Sequence, residues 1–198
     1  MNITIHDYNK HILEDVLCLV KIWHPEISEA QRTSDPKRLV KKLIRDRSVI
    51  LKYPSISLEV DMPLFLMYDC KCIFCLDIEK EPFRFSPDDI CFECDENFTD
   101  KEDVLMQSLF RKVKSIIKEG NMTEWNKIKY FLPVSTIIKN RLVLNYLQLF
   151  KFFAWDRNTT NTKILTLKIL LLEKLNVIDP IFFTKQNVEI FIANEEKQ

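Results

Sequence analysis

The sequence predicts an α+β fold that is mostly α, with a small β zinc-knuckle module and helices packed on both sides of a four-cysteine zinc site. Apolar residues recur at intervals of three and four over much of the 198-residue chain, as they do on the buried face of a helix. Four cysteines form two C-x2-C pairs separated by 15 residues, a spacing typical of zinc sites. We therefore expect a helical region with a basic helix over 1–62, the zinc module over 63–100 and a second helical region over 101–198.

Two helices are predicted in the N-terminal region. The first runs from about residue 7 to Trp23, where apolar side chains keep helical spacing until Pro25 follows. The second opens at Asp35 and Pro36, because aspartate caps helices and proline is tolerated in their first turn, and it runs to about Arg47. Its outward side carries four cations at positions i, i+3, i+4 and i+7, namely Arg38, Lys41, Lys42 and Arg45.

Extended segments are predicted from Ser48 to Tyr68. Short apolar runs there are interrupted by Pro54 and Pro63, which would break a helix. The last of these segments, from Leu64 to Cys70, is predicted to be a strand that enters the first cysteine pair.

The C-terminal region is predicted to be helical. Thr99 and Glu102 have the spacing of a capping box, in which each residue bonds the other's backbone N–H at the start of a helix. Apolar periodicity then predicts helices over 99–119, 123–131, 135–155 and 162–175, with an amphipathic helix or strand over 184–194.

The four cysteines Cys72, Cys75, Cys91 and Cys94 are the predicted metal ligands. Two thiolates separated by two residues can bind one ion, and two such pairs complete a tetrahedral zinc site. A site with four protein ligands leaves no open coordination position, so the zinc is expected to be structural. The alternatives are reduced, buried cysteines or an iron–sulfur cluster.

The two pairs, Cys72-Ile73-Phe74-Cys75 and Cys91-Phe92-Glu93-Cys94, resemble a zinc-ribbon or treble-clef element. That resemblance implies a structural role and no particular activity. The whole chain, with its single glycine and its AT-biased residue usage, resembles the ribosome dormancy (hibernation) factors of microsporidia. This second resemblance implies a ribosome as the partner.

The charge of the chain is unevenly distributed. Residues 69–103 contain 12 acidic and 4 basic residues, whereas the remainder carries a net charge of +8. Phosphate neutralisation contributes much of the affinity for nucleic acids, so the acidic zinc module is expected to face a basic protein surface. The cationic row on the second predicted helix, Arg38 to Arg45, is the predicted nucleic-acid contact, although a solvated helix face would have the same pattern.

No catalytic motif is evident in the sequence. Gly120 is the only glycine, so a glycine-rich phosphate loop is impossible, and most classes of nucleotide-using enzymes are disfavoured. The three histidines all lie in the first 24 residues and match no catalytic pattern. The sequence therefore predicts a protein that is not an enzyme and has no small-molecule substrate.

The functional hypothesis from the sequence is a zinc-stabilised binding factor that docks on a ribosome, contacting rRNA and ribosomal proteins, and acts as an inhibitory or dormancy factor. One alternative is a viral late transcription factor or an RNA-polymerase-associated zinc protein. A second is a metal-dependent enzyme acting on nucleic acid, and a different protein partner is also left open. A cytoplasmic location without membrane contact is expected, because neither a signal peptide nor a spanning apolar run is present.

Overall fold

The computed structural model describes residues 1–74, 91–92, 99–120, 128, 132–133, 135–156 and 159–194; the side chains of residues 30, 31, 33 and 71–73 are not described. Within these ranges the fold is α+β and mostly helical. The strands are β1 (Asn2–Tyr8), β2 (Ser55–Pro63), β3 (Cys91–Phe92) and β4 (Thr136–Asn145). The α-helices are α1 (Ile12–Trp23), α2 (Glu29–Ser34), α3 (Pro36–Arg45), α4 (Leu64–Phe74), α5 (Asp100–Glu119), α6 (Tyr146–Ala154), α7 (Thr162–Ile178) and α8 (Lys185–Ala193).

The four strands form one sheet in the order β1-β2-β4-β3. Strands β3 and β4 are antiparallel, with Cys91 opposite Ile137 and Phe92 opposite Thr136. Along β4 the side chains from Thr136 alternate between buried and more exposed positions, the period of two that a strand imposes.

Contact clustering divides the chain into two compact units. Unit 1 comprises Met1–Thr4 and Glu59–Leu142, and unit 2 comprises Ile5–Leu58 and Val143–Gln198. In unit 1 the buried side chains include those of Val60, Met62, Leu66, Phe110, Ile117 and Ile138. In unit 2 an aromatic cluster forms around α6, where the Phe150 ring stacks on Phe183 at 5.3 Å and on Phe191 at 5.4 Å between centroids.

Several local predictions are confirmed. Helix α3 begins after the predicted cap, with the Arg38 backbone N–H donating to the Asp35 carboxylate at 3.0 Å. Helix α5 begins with the predicted capping box, in which the Thr99 N–H donates to Glu102 at 2.8 Å. The first helix is also present, but it starts at Ile12 instead of residue 7 because the first residues form β1.

Two long segments have the opposite secondary structure from that predicted, and the short run Val49–Lys52, predicted to be extended, is a 3-10 helix. Residues 136–145 form β4 and not the first part of a long helix: buried and more exposed side chains alternate along them, which is the period of a strand paired with neighbouring strands. Residues Leu64–Phe74 form α4 and not a strand leading to a zinc knuckle, since Pro63 ends β2 immediately before them. The predicted division into three regions stays a prediction, because residues 75–90 and 93–98 lie outside the described part. Among the described residues, no helix is both long and apolar enough to cross a bilayer.

Candidate functional site

A groove of about 640 Å³ lies along α3 in unit 2. The four cations that the sequence predicted to contact phosphate all line it, and we call this feature the basic groove (Arg38, Lys41, Lys42 and Arg45). Ser34 and Asp35 lie at the start of α3, and the apolar part of the lining consists of Ile27, Leu39 and Ile190. The structure therefore brings together the whole predicted cationic set in one concave surface.

The sequence of α3 explains why these side chains share one face. Asp35 caps the helix and Pro36 occupies its first turn. The residues between the cations are apolar and buried, namely Leu39, Val40, Leu43 and Ile44. The cations therefore point away from the core. A helix with this pattern has one apolar and one charged side, as an amphipathic helix requires.

The C-terminal end of α3 is fixed by two backbone hydrogen bonds. The Ser48 N–H donates to the Leu43 carbonyl at 2.9 Å and the Arg47 N–H to the Ile44 carbonyl at 3.2 Å. This is the Schellman arrangement, and it places Arg47 in the left-handed region with φ of 48°. The Arg47 guanidinium lies 4.8 Å from the Phe191 ring centroid, so the end of α3 is attached to α8.

Two cations of the basic groove have hydrogen-bond partners that restrict them. The Lys41 ammonium donates to the Gln186 side-chain oxygen of α8 at 2.8 Å, and the Arg45 Nε donates to Asp46 at 3.1 Å. The pKa of Glu26 is lowered by a hydrogen bond from its own backbone, by His24 and, more weakly, by the charge of Lys42. Lys42 therefore lies within electrostatic range of the turn that precedes α2.

The net charge of the groove lining is positive, since four cations face the single carboxylate of Asp35. That carboxylate already accepts the Arg38 backbone N–H as the helix cap. Arginine offers a planar pair of donors that matches a phosphate, and lysine adds a point charge. The basic groove can therefore bind an anion with several charges, such as a phosphate ester.

The neighbouring helix α8 is held by a buried polar network. The Asn187 amide donates to the carbonyls of Ile181 at 2.8 Å and Phe182 at 2.9 Å. The Tyr146 hydroxyl donates to the Asp179 carboxylate at 2.7 Å, and burial raises the pKa of both groups. These groups hold the α7–α8 connection in place, so we assign them a structural role.

Unit 1 contains a charged cluster that sequence reasoning missed. The Lys139 ammonium of β4 lies 3.2 Å from the Glu59 carboxylate and 3.6 Å from the Asp61 carboxylate, both on β2. The hydrogen bond to Glu59, followed by the charge of Asp61, raises the pKa of Lys139. The available signal in the sequence was the presence of opposite charges, Lys139 against Glu59 and Asp61, on two segments that could pair as strands. This signal could not be used while residues 136–145 were predicted to be helical.

The predicted zinc ligands are not shown to meet. Cys75 and Cys94 lie outside the described residues, and Cys72 lies in α4 with its side chain not described. Cys91 lies in β3, where it is exposed. The strand that was predicted to enter the first knuckle is helical instead. In the part of the chain that the structure describes, no three His, Cys, Asp or Glu residues are grouped as a metal site would require.

Comparison with solved structures identifies the fold. Thymidylate Synthase X from Helicobacter pylori, crystallised with FAD and dUMP, is similar with a TM-score of 0.68 and 14% identity over 95% of this chain and 99% of that one. A second structure of that enzyme with the same ligands gives a TM-score of 0.62 and 16% identity, covering 92% and 98% of the two chains. The UMP/dUMP methylase PolB from Streptomyces cacaoi, bound with 5-Br dUMP, gives 0.61 and 13%, covering 97% and 94%. The sequence matches no protein-family model and no curated protein sequence.

These likenesses correct the main functional predictions. The fold is shared with enzymes whose structures contain nucleotides, and not with a zinc-ribbon protein or a ribosome dormancy factor. The predictions of a non-enzymatic factor, of structural zinc as cofactor and of a ribosomal partner without a small-molecule substrate were therefore wrong. The transcription-factor and metal-dependent alternatives find no support in this fold either. The exclusion of nucleotide enzymes rested on missing glycine-rich loops, whereas the basic groove offers side-chain cations for the same purpose. The chain has the fold of the flavin-dependent thymidylate synthase ThyX and the methylase PolB.

Proposed function

We propose that the chain binds a uridine 5′-monophosphate, either UMP or dUMP, and modifies its pyrimidine ring as an enzyme. The observation that carries this proposal is the likeness, over nearly the whole of each chain, to two enzymes from different bacteria whose structures contain dUMP or its 5-bromo analogue. One fold can host several functions, so the proposal also needs a site whose chemistry suits the ligand.

The basic groove supplies that chemistry. A nucleoside monophosphate carries up to two negative charges on its phosphate, and the groove presents four cations against one carboxylate. Its volume of about 640 Å³ falls in the range of small-molecule sites. Arg38 and Lys42 are assigned to the phosphate, because Lys41 and Arg45 already have side-chain partners in Gln186 and Asp46. The Ser34 hydroxyl adds a neutral donor at the same end as Asp35.

The supporting residues keep these cations in place. Lys41 is bonded to α8, and Arg47 packs on Phe191 of the same helix, so α3 and α8 hold the two sides of the groove. Because these contacts fix the helix, its cations are presented on one side without any reordering of α3, which lowers the entropic cost of binding. The role of α8 in this proposal is to position the cations of α3.

The cofactor of the Helicobacter enzyme, FAD, also carries phosphate groups, and the donor set of the basic groove fits a diphosphate. When bound, a flavin supplies hydride transfer, which protein side chains cannot. In this chain Arg38 and Lys42 would neutralise the diphosphate charge, while Lys41 would be held beside them by Gln186. Binding of dUMP and of FAD must therefore be measured separately and in competition.

The decisive experiment is calorimetric titration of the protein with dUMP, deoxyuridine and FAD, followed by mass spectrometry of dUMP incubated with FAD, a reductant and a one-carbon donor. We expect dUMP to bind at least about tenfold more tightly than deoxyuridine, because only dUMP carries the phosphate that the cations recognise. We expect a product heavier by one methylene group. No binding of dUMP and no modified nucleotide would refute the proposal.

Matched variants identify the site. The double substitution Arg38→Gln and Lys42→Gln should weaken dUMP binding by at least about tenfold, since it removes two charge-assisted contacts. The control is Lys151→Gln with Lys174→Gln, which removes two exposed cations of the same unit that do not line the groove. An equal loss of affinity in both double variants would show that only net charge matters and would remove the basic groove from the proposal.

A further inference from the structure

Unit 2 exposes an aromatic patch at the end of α1. The Trp23 side chain is 50% exposed and that of Tyr53 is 53% exposed, and their ring centroids lie 6.5 Å apart with an angle of 55° between the planes. Ile22, which is 72% exposed, adjoins Trp23 in sequence. A large aromatic side chain stabilises a protein core or an interface most when it is buried. Two such side chains exposed side by side therefore indicate a binding surface.

A second groove, of about 410 Å³, lies beside this aromatic patch (Trp23 and Tyr53). Its apolar lining comes from α1 and from the segment around Tyr53, and comprises Ile12, Val16, Leu19, Ile22, Tyr53 and Pro54. Its polar lining includes Asn9, Asp15 and Ser55, whose amide, carboxylate and hydroxyl groups can bond the edge of a ring. Pro54 is held in place because its carbonyl accepts a hydrogen bond from the Tyr146 backbone N–H at 3.0 Å. This groove therefore suits a flat ring with polar edges.

The aromatic patch and the basic groove belong to the same unit and are connected by a short turn. Helix α1 ends at Trp23, and the Ile27 N–H donates to the His24 carbonyl at 3.0 Å. Ile27 itself lines the basic groove. Ile27 is four positions after Trp23, so their Cα atoms can be no more than about 15 Å apart. The pKa of Glu26, in the same turn, is lowered by a hydrogen bond from its own backbone, by His24 and, least, by the charge of Lys42.

A nucleic-acid strand has two kinds of group that suit these two features. Its flat bases can stack on aromatic side chains, and its row of negatively charged phosphates can contact a cationic groove. Proteins that bind single strands combine a cationic groove for the backbone with aromatic side chains on which bases stack. Stacked nucleotides repeat every 3.4 Å or so along a strand, so about four of them would cover roughly 15 Å, the upper limit of the distance from Trp23 to the lining residue Ile27. The four cations of α3 extend over about 10 Å of helix, enough for two or three phosphates.

We propose that unit 2 binds a single-stranded nucleic acid, with its phosphates along the basic groove, chiefly on Arg38 and Lys42, and one base stacked on Trp23 and Tyr53. A duplex is disfavoured, because its bases are already stacked on one another and cannot reach the aromatic patch. The proposal goes beyond the proposed function: it shares the phosphate contacts of the basic groove but does not depend on chemistry at a uridine ring.

The test is fluorescence anisotropy of labelled 12-nucleotide single strands, of mixed sequence, with the full chain at several salt concentrations. We expect the single strand to bind at least about tenfold more tightly than the duplex of the same length. Trp23→Ala should weaken strand binding by between about fivefold and a hundredfold, and Trp23→Phe should restore most of the affinity because it keeps a ring. Arg38→Gln with Lys42→Gln should reduce the slope of log affinity against log salt by about 1.4, since each phosphate contact on a single strand contributes about 0.7.

The same variants separate this proposal from the first one. Trp23→Ala should leave dUMP affinity unchanged, because Trp23 does not line the basic groove. Tight dUMP binding without strand binding would overturn the present proposal and leave the proposed function intact. Strand binding that is unchanged in Trp23→Ala, or that is equally tight for a duplex, would also overturn it. If strand binding depends on Trp23 but the chain never modifies dUMP, the present proposal is supported and only the proposed function is refuted.

Discussion

Removing the Tyr146 hydroxyl tests the buried network that holds α8 beside the basic groove. In Tyr146→Phe the ring stays, so its edge-on contacts with Phe183 at 4.6 Å and Phe182 at 5.1 Å are kept. What disappears is the hydrogen bond of 2.7 Å to the Asp179 carboxylate, which is 7% exposed and cannot turn to solvent instead. Losing a bond to a buried charged acceptor costs about 1.5–3 kcal/mol.

The loss should depend on pH in a defined direction. Burial raises the folded-state pKa of Asp179 above its ordinary value of 3.8, so the folded protein retains the proton to a higher pH than the unfolded chain. Stability therefore falls as the pH rises from that ordinary value towards the raised one. The Tyr146 hydroxyl bonds the ionised carboxylate and opposes this shift. Without it the pKa of Asp179 rises further, and the destabilisation should be larger at pH 7.5 than at pH 4.

The assay is urea denaturation at both pH values, with thermal unfolding as a second measure. For a chain of this length, about 2 kcal/mol corresponds to a fall in Tm of roughly 4–8 °C. Tyr68→Phe is the control, since it removes the hydroxyl of a tyrosine that is 47% exposed. If Tyr146→Phe were as stable as the unchanged protein, or lost the same amount at both pH values, the reasoning from the buried pair would be refuted.

Three further predictions concern other local features. In urea denaturation, Arg47→Gly should be more stable than Arg47→Ala by about 1 kcal/mol. Both variants lose the contact with Phe191, but only glycine accepts the φ of 48° without strain. Equal stabilities of the two variants would contradict this account of the helix end. Lys139→Met should destabilise the protein by about 1–2 kcal/mol at neutral pH and by less at acidic pH, since Glu59 and Asp61, whose side chains are 11% and 24% exposed, lose their shared cation; denaturation at neutral and acidic pH measures the difference. Thr99→Ala should accelerate hydrogen exchange several-fold in the first turn of α5. In the unchanged protein, the protection of these amides should fall as the pH drops through the lowered pKa of Glu102. An exchange rate that is the same in the variant would show that the cap does not stabilise this end of the helix.

The sequence predicted those parts of the fold for which the signal is local. The cap at Asp35 and the capping box at Thr99 depend on residues within one helical turn, and both are present in the structure. The cationic face of α3 was predicted for the same reason, because four charges at helical spacing lie on one side whatever the helix packs against. The candidate site was therefore partly predictable, although its ligand class was assigned to ribosomal RNA.

What could not be predicted depends on contacts between distant segments. Strand β4 has ten residues whose partners lie in β2 and β3, and its apolar content alone fits a helix as well as a strand. Helix α4 begins with Leu64 to Met67, a short apolar run that is equally ambiguous. The shared fold with thymidylate synthase X was also beyond sequence reasoning, because only 14% of the aligned residues are identical.

The discontinuity of unit 2 has a consequence for its synthesis. Its two segments, Ile5–Leu58 and Val143–Gln198, are separated by residues 59–142, so α3 is made long before the helix that supports it. Helix α8 begins 140 positions after the end of α3, so at a typical rate of about 5–20 residues per second the interval is roughly 7–28 s. During that time Leu39, Val40, Leu43 and Ile44 cannot yet be covered by α8, and the nascent chain presents an apolar surface that chaperones can recognise. The basic groove is thus completed only after α8 has been synthesised, and chains that are released before that point should neither bind anions there nor remain free of aggregation.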